Sequence, residues 1–148
     1  MDLSITAEVV NFLLRKDPVP VSVKRATVDH IIDGIGLMLA GSRTSCIKIL
    51  TDFTRKQSDR GACTIIGSNT KSSSVAAALV NGASGHADDY DDTQLSTSPD
   101  RIYGLLTHPT VPVLAASLSV AEEMNSTGKD LLEHSSRASR WSASLPRR

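Results

Sequence analysis

This sequence predicts a mostly α-helical domain, and three observations carry that expectation. Aromatic residues make up only 3% of the chain while hydrophobic residues reach 40%. A core so poor in rings must be filled by Leu, Ile, Val and Ala, which suits close helix packing better than strands. Apolar positions recur at helical spacing in several stretches. Capping residues and prolines stand where those stretches should begin and end. At 148 residues the chain has the size of one domain with one modest core.

Taken in order, Ser4 caps a first helix with Ile5, Val9, Phe12 and Leu13 at helical spacing, ending near Lys16 because Pro18 and Pro20 prevent its continuation. A second helix begins after Pro20 or Ser22. It carries Val28, Ile31, Ile32, Ile35 and Leu39 on one side and has Gly41 where a C-terminal cap belongs. Ile47, Leu50 and Phe53 suggest a third, shorter helix, and Ala62 to Gly67 fits one short strand or an extended connector. From Ser73 the run Val75-Ala76-Ala77-Ala78-Leu79-Val80 is small and apolar all round, as a buried helix requires, and it leads into Gly82, Gly85 and His86.

Residues Asp88 to Leu106 are polar and irregular, after which Thr107 to Met124 regains helical periodicity, with Pro109 and Pro112 in its first turn. Thr127 and Asp130 have the spacing of a capping box that opens a last helix through Leu131 and Leu132. After His134 the apolar face is lost. Residues 135–148 therefore read as an irregular, basic Ser/Arg-rich tail, foreign to residues 1–134 in the way a shifted reading frame, an intron read-through or a premature gene end produces.

The charge pattern narrows the function classes. Net charge is zero overall, but up to His134 there are 12 basic and 16 acidic residues, a net of −4. That sign provides no footprint for nucleic acid. No apolar run reaches the length of a membrane span and the N-terminus lacks a basic or Arg-rich leader, so the expected location is cytoplasmic. Cys46 and Cys63, without CxxC spacing or a nearby histidine pair, propose neither a zinc site nor a disulfide framework.

Two segments carry chemistry. His86-Ala87-Asp88-Asp89-Tyr90-Asp91-Asp92-Thr93 places four carboxylates within five positions at the end of a packed helix. Charges so close repel, a cost a protein tolerates where they meet a cation, a metal or a reaction needing a base; a solvated acidic loop is the plainer alternative. Fifteen positions on, Thr107-His108-Pro109-Thr110 opens a helix, where free N–H groups and the positive dipole end favour an anion. A histidine there can donate a proton or bind a carboxylate, or merely cap the helix.

The pattern Asn81-Gly82-Ala83-x-x-His86-Ala87-x-Asp89-Tyr90-Asp91-Asp92-Thr93, followed by His108-Pro109-Thr110-x-Pro112-Val113-Leu114, resembles the MmgE/PrpD family. The resemblance extends from about Thr6 to Leu132 and includes Gly34-Ile35-x-Leu37-x-Leu39-Ala40-Gly41-Ser42. It implies an orthogonal helical bundle of the family's N-terminal type, present only in its opening part, with a lid domain expected elsewhere. It also implies a cofactor-independent lyase of the 2-methylcitrate dehydratase or cis-aconitate decarboxylase kind, homodimeric, acting on a small di- or tricarboxylate with no metal. By resemblance Asp89, Thr93 and His108 are the catalytic residues. His86, Arg101 and Thr107 are expected to bind substrate. Thr93 would hydrogen-bond a carboxylate, His108 would shuttle the proton, and Asp89 would orient the histidine or act as base.

One departure bears on substrate identity: the gap between Thr93 and His108 is long and contains Arg101 and Tyr103, where decarboxylase-like members have a shorter loop. The family's later basic residues and second histidine have no counterpart in this sequence, so the chain alone is expected to be inactive. Two rival readings stand beside this one. The chain is a helical interaction module or pseudo-enzyme, or its DDxxD (Asp88 to Asp92) and DxDD (Asp89 to Asp92) patterns bind Mg²⁺ or protonate an alkene as in terpene synthases. The latter need aromatic walls, and only Phe12, Phe53, Tyr90 and Tyr103 precede the tail.

Overall fold

The computed structural model describes residues 4–57, 60–93 and 108–144. Six helices lie in the described residues: α1 (Ile5–Leu13), α2 (Val21–Gly41), α3 (Ser45–Lys56), α4 (Ser74–His86), α5 (Thr110–Glu123) and α6 (Gly128–Ser144). A two-stranded antiparallel ribbon, β1 (Cys63–Thr64) and β2 (Lys71–Ser72), pairs Cys63 with Ser72 and Thr64 with Lys71. The mostly α-helical expectation is met. No described helix is long and apolar enough to cross a membrane.

Local chemistry sets the helix starts. Ser4 accepts from the Ala7 N–H and Ser73 from the Ala76 N–H, each satisfying a first-turn donor. The Thr127–Asp130 box is formed in full: Asp130 Oδ2 accepts from Thr127 N and Oγ1, and Asp130 N donates to Thr127 Oγ1. The first helix stops at Leu13, one turn short of Lys16.

α4 is the centre of the fold, packing on α2, α3, α5 and the ribbon. One buried cluster (Ile47, Cys63, Ile65, Ala77 and Val80) lies between α3, the ribbon and α4; a second (Met38, Val111, Leu114 and Ala115) joins α2 to α5. The segment 62–67 is a short strand followed by a turn, with Gly67 in the left-handed region at φ 79°. It is sewn to the helices through side chains. The Asn81 amide accepts from Ile66 N at 2.9 Å and donates to Thr64 O at 2.9 Å, while the Glu122 carboxylate accepts from Thr64 N and Oγ1 at 2.7 and 2.6 Å.

Three expectations are corrected. The apolar stripe of α2 faces outward: Val28, Ile32, Ile35 and Leu39 are exposed, and only Ile31 packs towards the core. The buried face is Thr27, Gly34, Met38 and Gly41. Small residues win this side because they let the helices approach closely. A Cβ on Gly34 would lie 2.6 Å from Leu114 Cδ2, and one on Gly41 would lie 1.9 Å from the Ser84 carbonyl oxygen. Gly41 is thus a contact residue and not a C-terminal cap; the cap is Ser42 in right-handed conformation. The third correction concerns α6, which does not end at His134.

α6 continues to Ser144, and Ser135, Ser136 and Arg137 are buried. Its contact face is polar, which is why apolar periodicity did not find it. Ser136 Oγ lies 3.0 Å from Thr27 Oγ1 and 2.7 Å from Leu132 O. Arg137 Nη2 donates to Asp17 O at 2.8 Å and to Glu133 Oε1 at 3.1 Å, fastening α6 to the loop between α1 and α2. Residues up to Ser144 are therefore helical where an irregular tail was expected.

Candidate functional site

Close helix packing brings the end of α4 beside the start of α5. A Cβ on Gly85 would lie 2.6 Å from Val111 Cγ1, so the two backbones approach as only glycine permits. The Ser84 hydroxyl donates to Met38 O at 2.6 Å and fixes α4 against α2. As a result His86 at the end of α4 and His108 just before α5 meet edge to face, ring centroids 4.8 Å apart at 63°.

The acidic segment folds back over this pair. Asp89 N donates to His86 O at 3.1 Å, and Asp89 itself has φ 55°, a left-handed conformation that Asp tolerates better than most residues. The reversal buries Asp91, which is 5% exposed, between the two rings. Asp91 Oδ1 lies 2.8 Å from His86 Nδ1 and 3.3 Å from His108 Nδ1. Asp89 Oδ1 stands 4.0 Å from His86 Nδ1 and 4.0 Å from His108 Nε2. Asp92 turns the other way and accepts from Thr110 N at 3.2 Å and Thr110 Oγ1 at 2.8 Å, supplying the N-terminus of α5 with an anionic cap from 18 residues away.

Asp91, through its hydrogen bond and its charge, holds the His86 imidazolium above its ordinary pKa; the Asp89 charge adds to this and partial desolvation opposes it. Asp91 Oδ2 and His108 Nδ1 are buried without a hydrogen-bond partner. Each such group costs about 1–3 kcal/mol, so the site retains unused polar capacity. A half-open cleft of about 670 Å³ adjoins it, with Leu79, Val111 and Ala115 on its apolar wall and His86, Asp91 and His108 at its polar end. No Lys or Arg is among the described residues lining it. Two imidazoles in edge-to-face contact beside one buried carboxylate can take up a proton and pass it on.

The sequence profile of the MmgE/PrpD N-terminal domain matches residues 7–138. The chain belongs to the MmgE/PrpD family. The match runs past His134 into the buried turn of α6, in keeping with the seam that Ser136 and Arg137 make. No curated protein and no solved structure gives a significant match.

In this MmgE/PrpD domain the residues singled out from the sequence have different fates. His86, Asp89 and His108 come together in one cluster. Thr93 is exposed and is not among the residues that line the cleft. Arg101 and Thr107 lie outside the described residues. Asp91 and Asp92 stand in the motif but received no individual role from the sequence. Asp91 hydrogen-bonds His86 five positions earlier and also stands beside His108, 17 positions later, while Asp92 caps Thr110, and no local spacing identifies the two later partners. The Mg²⁺ reading of DDxxD loses its ends, since neither Asp88 nor Asp92 belongs to the cluster and Asp92 is committed to α5.

Proposed function

We propose that this domain supplies the proton-transfer end of a lyase pocket of the dehydratase, decarboxylase or epimerase kind, acting on a small di- or tricarboxylate without a cofactor. The observation that carries this reading is the His86–Asp91–His108 constellation at the polar end of an apolar cleft. Removing a proton beside a carboxylate, or losing carbon dioxide, needs a positioned acid or base and donors for the developing charge. His108 shuttles the proton, Asp91 orients both rings, and Asp89 orients His108 or takes the proton itself. Thr93 hydrogen-bonds a substrate carboxylate, and Arg101 and Thr107 bind substrate as well.

An anionic substrate finds no Lys or Arg among the described lining residues, and the cleft is open on one side. The reading therefore gives the isolated chain no turnover and assigns the missing wall to residues beyond this cleft. Assayed with methylcitrate and cis-aconitate, the chain alone is expected to be silent. The change equivalent to His108→Gln in a full-length member of the family should lower turnover by about 10²–10⁴-fold. A near-normal rate there removes His108 from the mechanism, and turnover by this chain alone refutes the need for a second wall.

A second reading rests on α2. Its outward stripe of Val28, Ile32, Ile35 and Leu39 is the kind of apolar surface that protein association covers. On that reading the chain is a non-catalytic helical module, or one half of a homodimer. Sedimentation of the chain as a monomer at micromolar concentration would count against it.

A further inference from the structure

The cluster has a property that the lyase reading does not use. One ligating atom each from His86, Asp89, Asp91 and His108 can be chosen so that all four lie within 4.8 Å of one another. A four-coordinate cation with bonds of roughly 2.0–2.2 Å to N and O holds its ligand atoms roughly 3.3–3.6 Å apart. With one nitrogen of His108 taken at a time, His86 Nδ1 stands 2.8 Å from Asp91 Oδ1 and 4.0 Å from Asp89 Oδ1, and His108 stands either 3.3 Å from Asp91 Oδ1 through Nδ1 or 4.0 Å from Asp89 Oδ1 through Nε2, so side-chain shifts of about an ångström would close the polyhedron.

A second observation points to a ligand independently of the spacing. The Asp91 side chain is wholly buried, yet its Oδ2 has no hydrogen-bond partner, and the buried His108 Nδ1 has none either. Buried polar atoms are normally satisfied, and both of these belong to residues of the same four-membered cluster. Charge agrees with this: two carboxylates and two neutral imidazoles balance a dication. The exposed His86 and Asp89 leave a route in from solvent, while Asp91 forms the floor.

We propose that His86, Asp89, Asp91 and His108 form a binding site for a divalent cation of the zinc class. Two imidazoles beside two carboxylates favour a borderline ion such as Zn²⁺ or Co²⁺ over Mg²⁺ or Ca²⁺, which take all-oxygen sets. The site contains no sulfur: Cys46 is not among its members and the Cys63 thiol donates to Ser119 O. A cation held there occupies the ring nitrogens that proton transfer requires, so the metal-loaded and proton-shuttling states exclude one another.

The test uses the full chain stripped with chelator, titrated with Zn²⁺ by calorimetry and with Co²⁺ by visible absorption. One equivalent should bind, with d–d bands of a nitrogen and oxygen ligand set and no thiolate charge-transfer band. His86→Gln, His108→Gln and Asp89→Asn should each weaken binding by about tenfold or more, at least the 10–100-fold that loss of an outer-shell partner already costs. Cys46→Ser should leave it unchanged. Asp89 is exposed, so Asp89→Asn keeps the proposal testable if a change at buried Asp91 unfolds the chain; circular dichroism checks each variant. Absence of stoichiometric binding, equal affinity in His86→Gln, or a thiolate band would overturn the proposal. The lyase reading, which uses no metal, would stand in each of those cases.

Discussion

Gly41 and Gly36 sit five residues apart on one helix and should respond to alanine in opposite directions. A methyl on Gly41 lies 1.9 Å from the Ser84 carbonyl oxygen, 2.9 Å from its carbon and 3.2 Å from Ala87 Cβ, whereas one on Gly36 meets nothing within 4 Å. Ordinary contact begins near 3.4 Å, so α2 and α4 must separate by roughly 1.5 Å at Gly41. The obstacle is backbone, which cannot rotate away. Overpacking of this kind costs about 1–3 kcal/mol. The Ser84–Met38 hydrogen bond, 2.6 Å long at the same crossing, would stretch beyond bonding length and cost about 1 kcal/mol more. Alanine's helix preference returns about 0.5–1 kcal/mol. Gly41→Ala is therefore expected to destabilise by about 1–3 kcal/mol and Gly36→Ala to stabilise by about 0.5–1 kcal/mol. Urea unfolding followed by helical circular dichroism and extrapolated linearly measures both. Two variants within about 0.5 kcal/mol of each other would refute the close crossing, being no further apart than ordinary surface changes.

Two further outcomes follow from the polar contacts. Arg137→Ala removes a buried guanidinium that bonds Asp17 O and Glu133, and should cost about 1–3 kcal/mol in the same unfolding experiment. Arg137→Lys should recover only part, since an ammonium lacks the fork that spans both acceptors; an unchanged midpoint in Arg137→Ala would show that the α6 seam does not form. Because the His86 pKa is raised in the folded state, its stabilising contribution is complete below the unfolded value of 6.5 and is lost as pH rises through the folded value. In chelator-containing buffer, NMR titration should place His86 above 6.5, with a return towards it in Asp91→Asn. Titration of the wild-type ring at or below the ordinary value would contradict the Asp91 pairing.

How much was legible depended on how far apart the interacting residues lie in the chain. Caps at Ser4 and Thr127–Asp130 are contacts of three residues or fewer, so residue type and spacing suffice to find them. The motif around His86 and His108 was readable as a pattern, and four of its members, His86, Asp89, Asp91 and His108, do converge. Hydrophobic periodicity failed on α2 because it assumes that burial goes to the apolar side, whereas a crossing as tight as Gly34 on Leu114 rewards absence of a side chain. It failed on α6 because Ser135, Ser136 and Arg137 are buried through hydrogen bonds and small volume, which a hydropathy pattern reads as surface. The approach of Asp91 to His108 and of Asp92 to Thr110 depends on how α4 and α5 are brought together, and no single segment encodes that.

The left-handed backbone at Asp89 sets two demands against each other at one position. Conformation alone would prefer glycine there, and asparagine would serve nearly as well as aspartate. Only the carboxylate, however, reaches the two rings with a negative charge. A lineage relieved of the cluster's chemistry would thus be expected to lose Asp89 early, since drift to glycine or asparagine relaxes the chain at no cost to packing. Buried Asp91, which braces His86, would be given up later. The order in which these two acids disappear among divergent copies would record whether the chemistry or the fold was abandoned first.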